Sequence, residues 1–86
     1  MEEKKVIVKD KIGLHARTAA VFADQAKKFS SDLKVIYGAK EANAKSMLGL
    51  MGLGVGQGKT ITIRASGSDE LNAVNSLIQF VEKNFE

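Results

Sequence analysis

Thr60-Ile61-Thr62-Ile63-Arg64-Ala65-Ser66-Gly67-Ser68-Asp69-Glu70-Leu71 is the stretch in which the apolar period of this chain changes from that of a strand to that of a helix. Ile61, Ile63 and Ala65 alternate with Thr60, Thr62 and Arg64, which predicts a half-buried strand. Ser66 to Ser68 supply a turn, and beyond it Leu71, Val74, Leu77, Ile78, Val81 and Phe85 trace a helical stripe. Asp69-Glu70 opens that helix with negative charge, where the helix dipole favours it. An alternating strand that leads by a short turn into an amphipathic helix calls for a sheet covered by helices.

Working back towards the N-terminus, Gly52, Gly54, Gly56 and Gly58 alternate through a connector. Gly58-Lys59-Thr60 superficially resembles the end of a nucleotide-binding loop, but such a loop runs into a long helix and this one runs into a strand, so it is read as a flexible turn. Ser46 precedes Met47-Leu48-Gly49-Leu50-Met51, which suits a short helix capped by the serine. Leu33, Val35 and Tyr37 alternate with Lys34, Ile36 and Gly38, then turn at Gly38-Ala39 into a short strand over 41–44. Ala19, Phe22, Ala26 and Phe29 recur at helical spacing and predict a helix over 16–29. Asp10 to Gly13 form a loop before it, and Lys5-Val6-Ile7-Val8-Lys9 reads as the first strand. The order is strand, helix, strand, strand, short helix, strand, helix: an α+β fold with helices on one face of a mostly antiparallel sheet.

Composition bounds what such a chain can do. Its 86 residues give one domain, 1–86, with one modest core, so function is expected at a surface site rather than in an enclosed cavity. There is no cysteine, which excludes a disulfide scaffold and a thiolate metal site. The charged start Met1-Glu2-Glu3-Lys4-Lys5 carries no signal-peptide pattern, and the expected compartment is the cytoplasm, without membrane insertion. Net charge is +3, with 13 basic and 10 acidic residues dispersed along the chain, which suits docking to acidic proteins. A nucleic-acid module would agree with a pI near 9.3, but the chain lacks a basic cluster. Its aromatics, Phe22, Phe29, Phe80, Phe85 and Tyr37, fall mostly on apolar stripes, leaving no stacking platform.

His15 is the only histidine and sits at the start of the first long helix, with Arg17 two residues on. Position alone leaves two readings. A lone histidine there can be a capping or surface residue. Alternatively, the unpaired N–H groups and dipole of the helix start form an anion site in which a phosphate on a ring nitrogen can be cradled, with the Arg17 guanidinium closing over it. A neutral imidazole beside amides and an arginine supplies a nucleophile and charge stabilisation for phosphoryl transfer, with no metal or cofactor of its own. A small hydrolase using His15 is the rival enzyme reading, but it would need an orienting acid, an activated water or a metal.

Gly13-Leu14-His15-Ala16-Arg17-Thr18-Ala19 resembles the active-site signature of HPr, the histidine-containing phosphocarrier family of the bacterial phosphoenolpyruvate-dependent sugar phosphotransferase system. Lys45-Ser46-Met47-Leu48-Gly49-Leu50-Met51, with Leu53-Gly54-Val55, resembles the regulatory-serine segment of the low-GC Gram-positive type. The resemblance implies an open-faced β-sandwich, βαββαβα, with a four-stranded antiparallel sheet in the order 1-4-2-3 and three helices on one face. It implies a carrier rather than an enzyme: His15 phosphorylated on Nδ1 by enzyme I, Arg17 stabilising the phosphate, and donation to sugar-specific IIA domains. It also implies phosphorylation of Ser46 by HPr kinase/phosphorylase, and binding of that form to a catabolite-control transcription factor.

Met47, Leu48 and Met51 cannot all be buried on so short a helix, and with Ala16 and Ala20 they are the expected partner-binding residues of a monomeric protein. Leu50 is assigned to the core. A purely regulatory paralogue would not need His15. Thr18 stands where the family signature has proline, which predicts a looser or altered helix entrance with the chemistry intact.

Overall fold

The computed structural model describes residues 1–86. Its elements are β1 (Glu2–Ile7), α1 (Ala16–Ala26), β2 (Asp32–Tyr37), β3 (Lys40–Asn43), α2 (Met47–Met51), β4 (Thr60–Ser66) and α3 (Glu70–Glu82). The strands form one antiparallel sheet in the order β1-β4-β2-β3. The α+β class, the element order and the strand order are those expected from the sequence.

Period-two alternation sorts each strand between two environments. Val6, Leu33, Val35, Ile61, Ile63 and Ala65 are buried against the helices, where Phe22, Ala23, Val74, Leu77 and Val81 meet them. The other face carries Lys5, Ile36, Thr62, Arg64 and Lys34 in neighbouring register and stays open to solvent. Helices α1 and α3 pack on each other, and α2 packs on α1 and on the end of β3, which seats the short helix beside the first helix.

Three boundaries differ markedly from the sequence reading, each for a local reason, and β3 begins and ends one residue earlier than the 41–44 expected. The first strand was expected over 5–9, but β4 is long enough to pair Glu2↔Ala65 through Ile7↔Thr60, so the strand begins among the charges. Val8 remains buried and hydrogen-bonded to Lys59 and Gly58 without being in the ladder proper. Helix α1 stops at Ala26 rather than Phe29, because Lys28 and Phe29 donate to Gln25 and Ala26 in a tightened last turn that redirects the chain to β2. Phe29 still packs against the core.

The third difference is at the C-terminus. Phe85 is buried, as the stripe predicts, yet the helix ends three residues before it. Asn84 and Phe85 have φ of 58° and 64°, the left-handed region. The Asn84 N–H donates to the Val81 carbonyl at 2.9 Å and the Phe85 N–H to the Phe80 carbonyl at 2.8 Å, the double closure of a Schellman motif. The Phe85 ring then meets Phe80 edge-on at 5.9 Å and Phe22 at 6.4 Å. Leu71, placed on the same stripe by its spacing, is exposed.

Candidate functional site

The loop between β1 and α1 is built to hand one residue to the helix start. The Asp10 carboxylate accepts the N–H groups of Ile12 at 3.0 Å and Gly13 at 3.2 Å, turning the chain. Gly13 has φ of 85°, and a β-carbon there would lie 2.1 Å from the Val55 carbonyl oxygen, so only glycine fits. That close approach lets the Leu14 N–H donate to the same oxygen at 3.0 Å and anchors the loop on the glycine-rich connector.

His15 is the N-cap of α1, with extended backbone (φ −108°, ψ −172°). Its Nδ1 accepts a long hydrogen bond from the Arg17 N–H at 3.4 Å, so that nitrogen carries a lone pair facing the helix start. Nε2 lies 3.3 Å from Asp10 Oδ2. The Arg17 guanidinium is exposed and lies 3.6 Å from Asp10 Oδ1. The Thr18 N–H also turns to the His15 side chain, which with the Thr18 hydroxyl on the His15 N–H completes a capping box, and only the Ala16 N–H has no acceptor within the protein. The Asp10 carboxyl is held below its ordinary range, first by the Ile12 N–H, then by the Gly13 N–H and the charges of His15 and Arg17, against the cost of burial.

Of the looser or altered entrance expected at Thr18, the structure has the altered one. Thr18 is fully buried, and its hydroxyl donates to the Gly13 carbonyl at 2.7 Å while accepting the His15 N–H at 3.1 Å. The entrance without proline is therefore tied by two side-chain hydrogen bonds across the residues that carry His15.

Ser46 caps α2, its hydroxyl accepting the Gly49 N–H at 3.1 Å, and is half-buried. Leu50 is the buried residue of that helix, as assigned. Met47, Leu48 and Met51 are exposed, Leu48 to 75%. Ala16 is exposed and Ala20 half-buried on α1. The structure thus places His15 and Arg17 together at the start of α1, and Ser46 with the exposed methionines on the helix packed beside it. No group of three or more His, Asp or Glu side chains is arranged to hold a metal ion, and none of the surface clefts is lined by His15 or Arg17. No helix is long and apolar enough to cross a membrane.

Sequence reasoning missed Asp10. It had been read only as a loop residue, although it is the one carboxylate between Glu3 and Asp24 and could have been singled out on that ground. It also passed over Ile12, a 69% exposed apolar side chain on the same loop. Chemically, the arrangement offers a half-buried imidazole with a lone pair on Nδ1, helix-start N–H donors around it and a cation within reach, which suits an anionic group held near the surface.

The family model described as "PTS HPr component phosphorylation site" matches residues 2–83. HPr-like protein Crh of Halalkalibacterium halodurans is 48% identical over 83 residues, covering 96% of this chain and 99% of that protein. Phosphocarrier protein HPr of Mycoplasma pneumoniae is 44% identical over 84 residues, covering 96% of each. The crystal structure of HPr-C-His from Thermoanaerobacter tengcongensis superposes with a TM-score of 0.94 at 45% identity, covering 99% of this chain and 96% of that one. An HPr dimer from the same organism superposes with a TM-score of 0.79 at 44% identity, covering 100% and 99%.

Proposed function

The chain belongs to the HPr family of phosphocarriers, and from that premise we propose that it takes a phosphoryl group from phosphorylated enzyme I on His15 Nδ1 and passes it to sugar-specific IIA domains. The observation that carries this reading is the orientation of His15 as helix cap, with the Nδ1 lone pair turned to the Arg17 N–H and the unpaired N–H of Ala16 alongside. A phosphoryl group on Nδ1 replaces that long hydrogen bond, and its oxygens take up the N–H groups while the Arg17 guanidinium turns from Asp10 to the phosphate. The exposed site, without a surrounding cleft, suits a carrier whose partners bring the remaining groups.

The test is incubation with enzyme I, Mg²⁺ and phosphoenolpyruvate, followed by intact mass and acid treatment. One acid-labile phosphoryl group is expected, absent in His15→Ala. No gain under conditions that load another HPr overturns the reading.

Ser46 is proposed as a second, regulatory phosphorylation site, used by an ATP-dependent HPr kinase/phosphorylase to direct the protein to a catabolite-control transcription factor. A phosphate there adds about −1.5 to −2 charge at a helix start, where it is tolerated locally while changing the face offered by Met47, Leu48 and Met51. With Ala16 and Ala20 these residues are the proposed docking surface for all partners. The likeness to HPr-like protein Crh favours a regulator as the second reading. Phosphorylation at Ser46 with no gain at His15 would select it. We place the protein in the cytoplasm as a single domain and a monomer. The HPr dimer among its structural relatives makes light scattering the direct check, with 9.3 kDa expected.

A further inference from the structure

We propose, on the basis of the phosphocarrier reading, that Asp10 is a positioning residue for the transfer: it fixes the His15 ring with its proton on Nε2 and supplies the counter-charge when Nδ1 becomes phosphorylated. Asp10 is 8% exposed, and Oδ2 is held by the Ile12 and Gly13 N–H groups as well as facing His15 Nε2 at 3.3 Å. A carboxylate fastened in this way does not swing with the ring; the ring settles against it. It is also the only carboxylate paired with either His15 or Arg17.

The bond bookkeeping of the step shows why this matters. Neutral His15 carries its proton on Nε2 and attacks with the Nδ1 lone pair. The new N–P bond forms as the donor's bond to phosphorus breaks, and that bond's electron pair leaves with the donor. No proton leaves the ring, so the product is a phosphorylated imidazolium with its proton on Nε2, the nitrogen that lies 3.3 Å from Asp10. The positive charge created by loading is therefore placed against a fixed negative one, and the reverse step returns the same electrons to Nδ1. Arg17, at 3.6 Å from Oδ1 and beyond good hydrogen-bond range, is held loosely enough to move to the phosphate while Asp10 stays with the ring. The same division of labour, with a buried carboxylate orienting a histidine and stabilising its cation, serves other histidine chemistries.

The experiment compares the wild-type protein with Asp10→Asn, which keeps an acceptor for the loop N–H groups but loses the charge. Asp10→Ser keeps a shorter acceptor should the first variant fail to fold. The equilibrium constant for transfer from phosphorylated enzyme I is expected to fall about tenfold in the variants, the lower end of what an adjacent opposite charge does to an ionisation equilibrium. Nitrogen-15 and proton NMR of the phosphorylated wild type is expected to show the Nε2–H at neutral pH, a signature that a merely structural role does not require. An unchanged equilibrium constant in a folded variant, or a wild-type phosphohistidine without a proton on Nε2, overturns the role of Asp10 and leaves the carrier reading standing. A wild-type chain that takes no phosphoryl group ends both.

Discussion

At the scale of single residues, Thr18 shows how a missing proline is replaced by a different device. Proline in a first helical turn presets φ and sacrifices an N–H that has no partner anyway. Here a buried hydroxyl bridges the Gly13 carbonyl and the His15 N–H instead. Thr18→Ala leaves both groups without that partner and is expected to lower stability by about 2 kcal/mol, measured by urea denaturation. Thr18→Pro loses the same bridge but regains roughly 0.4–1 kcal/mol from a stiffer unfolded chain. Its denaturation midpoint should therefore fall between those of the wild type and Thr18→Ala; a midpoint below that of Thr18→Ala would show that the entrance no longer accepts proline.

At the scale of elements, the end of α3 is held by two residues in a conformation that side chains resist. A β-carbon in the left-handed region costs roughly 1–2 kcal/mol, and at Phe85 that cost is offset by burial against Phe22 and Phe80. Phe85→Ala is expected to lose about 3–5 kcal/mol. Phe85→Gly removes the same ring but also the strain, so it should be less destabilising than alanine by about 1 kcal/mol, the reverse of the usual order, with thermal melts as the measurement. The element order was legible in sequence because strands and helices here carry clean periods, as in Ile61-Ile63-Ala65 and Val74-Leu77-Val81, whereas the sheet order was implied only by the resemblance to the HPr family. The boundary at Glu82 was not, because Phe85 keeps the helical spacing while reaching the core by another path. The site was legible in the same uneven way: His15 and Arg17 lie within one helical turn, whereas Asp10 meets them only through the fold of a loop that closes on Val55, a contact no local period records.

At the scale of the whole molecule, Asp69 fastens the turn after α1 to the start of α3. Its carboxylate accepts the Ser31 hydroxyl, the Ser30 N–H at 2.9 Å and the Ser31 N–H at 3.0 Å, rather than capping its own helix. These bonds, the Ser31 hydroxyl foremost, hold its pKa down at about 2. A carboxyl depressed in the folded state stabilises the fold fully above its unfolded value, about 3.9, and that contribution is lost as pH falls through about 2. The stability gap between the wild type and Asp69→Asn should accordingly be widest near neutral pH and close below about pH 4, followed by denaturant titrations across that range. The first turn of the helix that carries His15 is closed by the His15 ring itself, through a long hydrogen bond from Arg17 and the capping box with Thr18, while the Ala16 N–H is left over; in the proposed carrier, cargo on Nδ1 takes over from that weak internal cap. On the phosphocarrier reading proposed above, loading tightens that first turn and unloading slackens it, so that the phosphate leaves for its acceptor at the expense of order in the protein it leaves. Slower hydrogen exchange at Ala16 and Thr18 in the loaded form would measure that exchange of order for cargo.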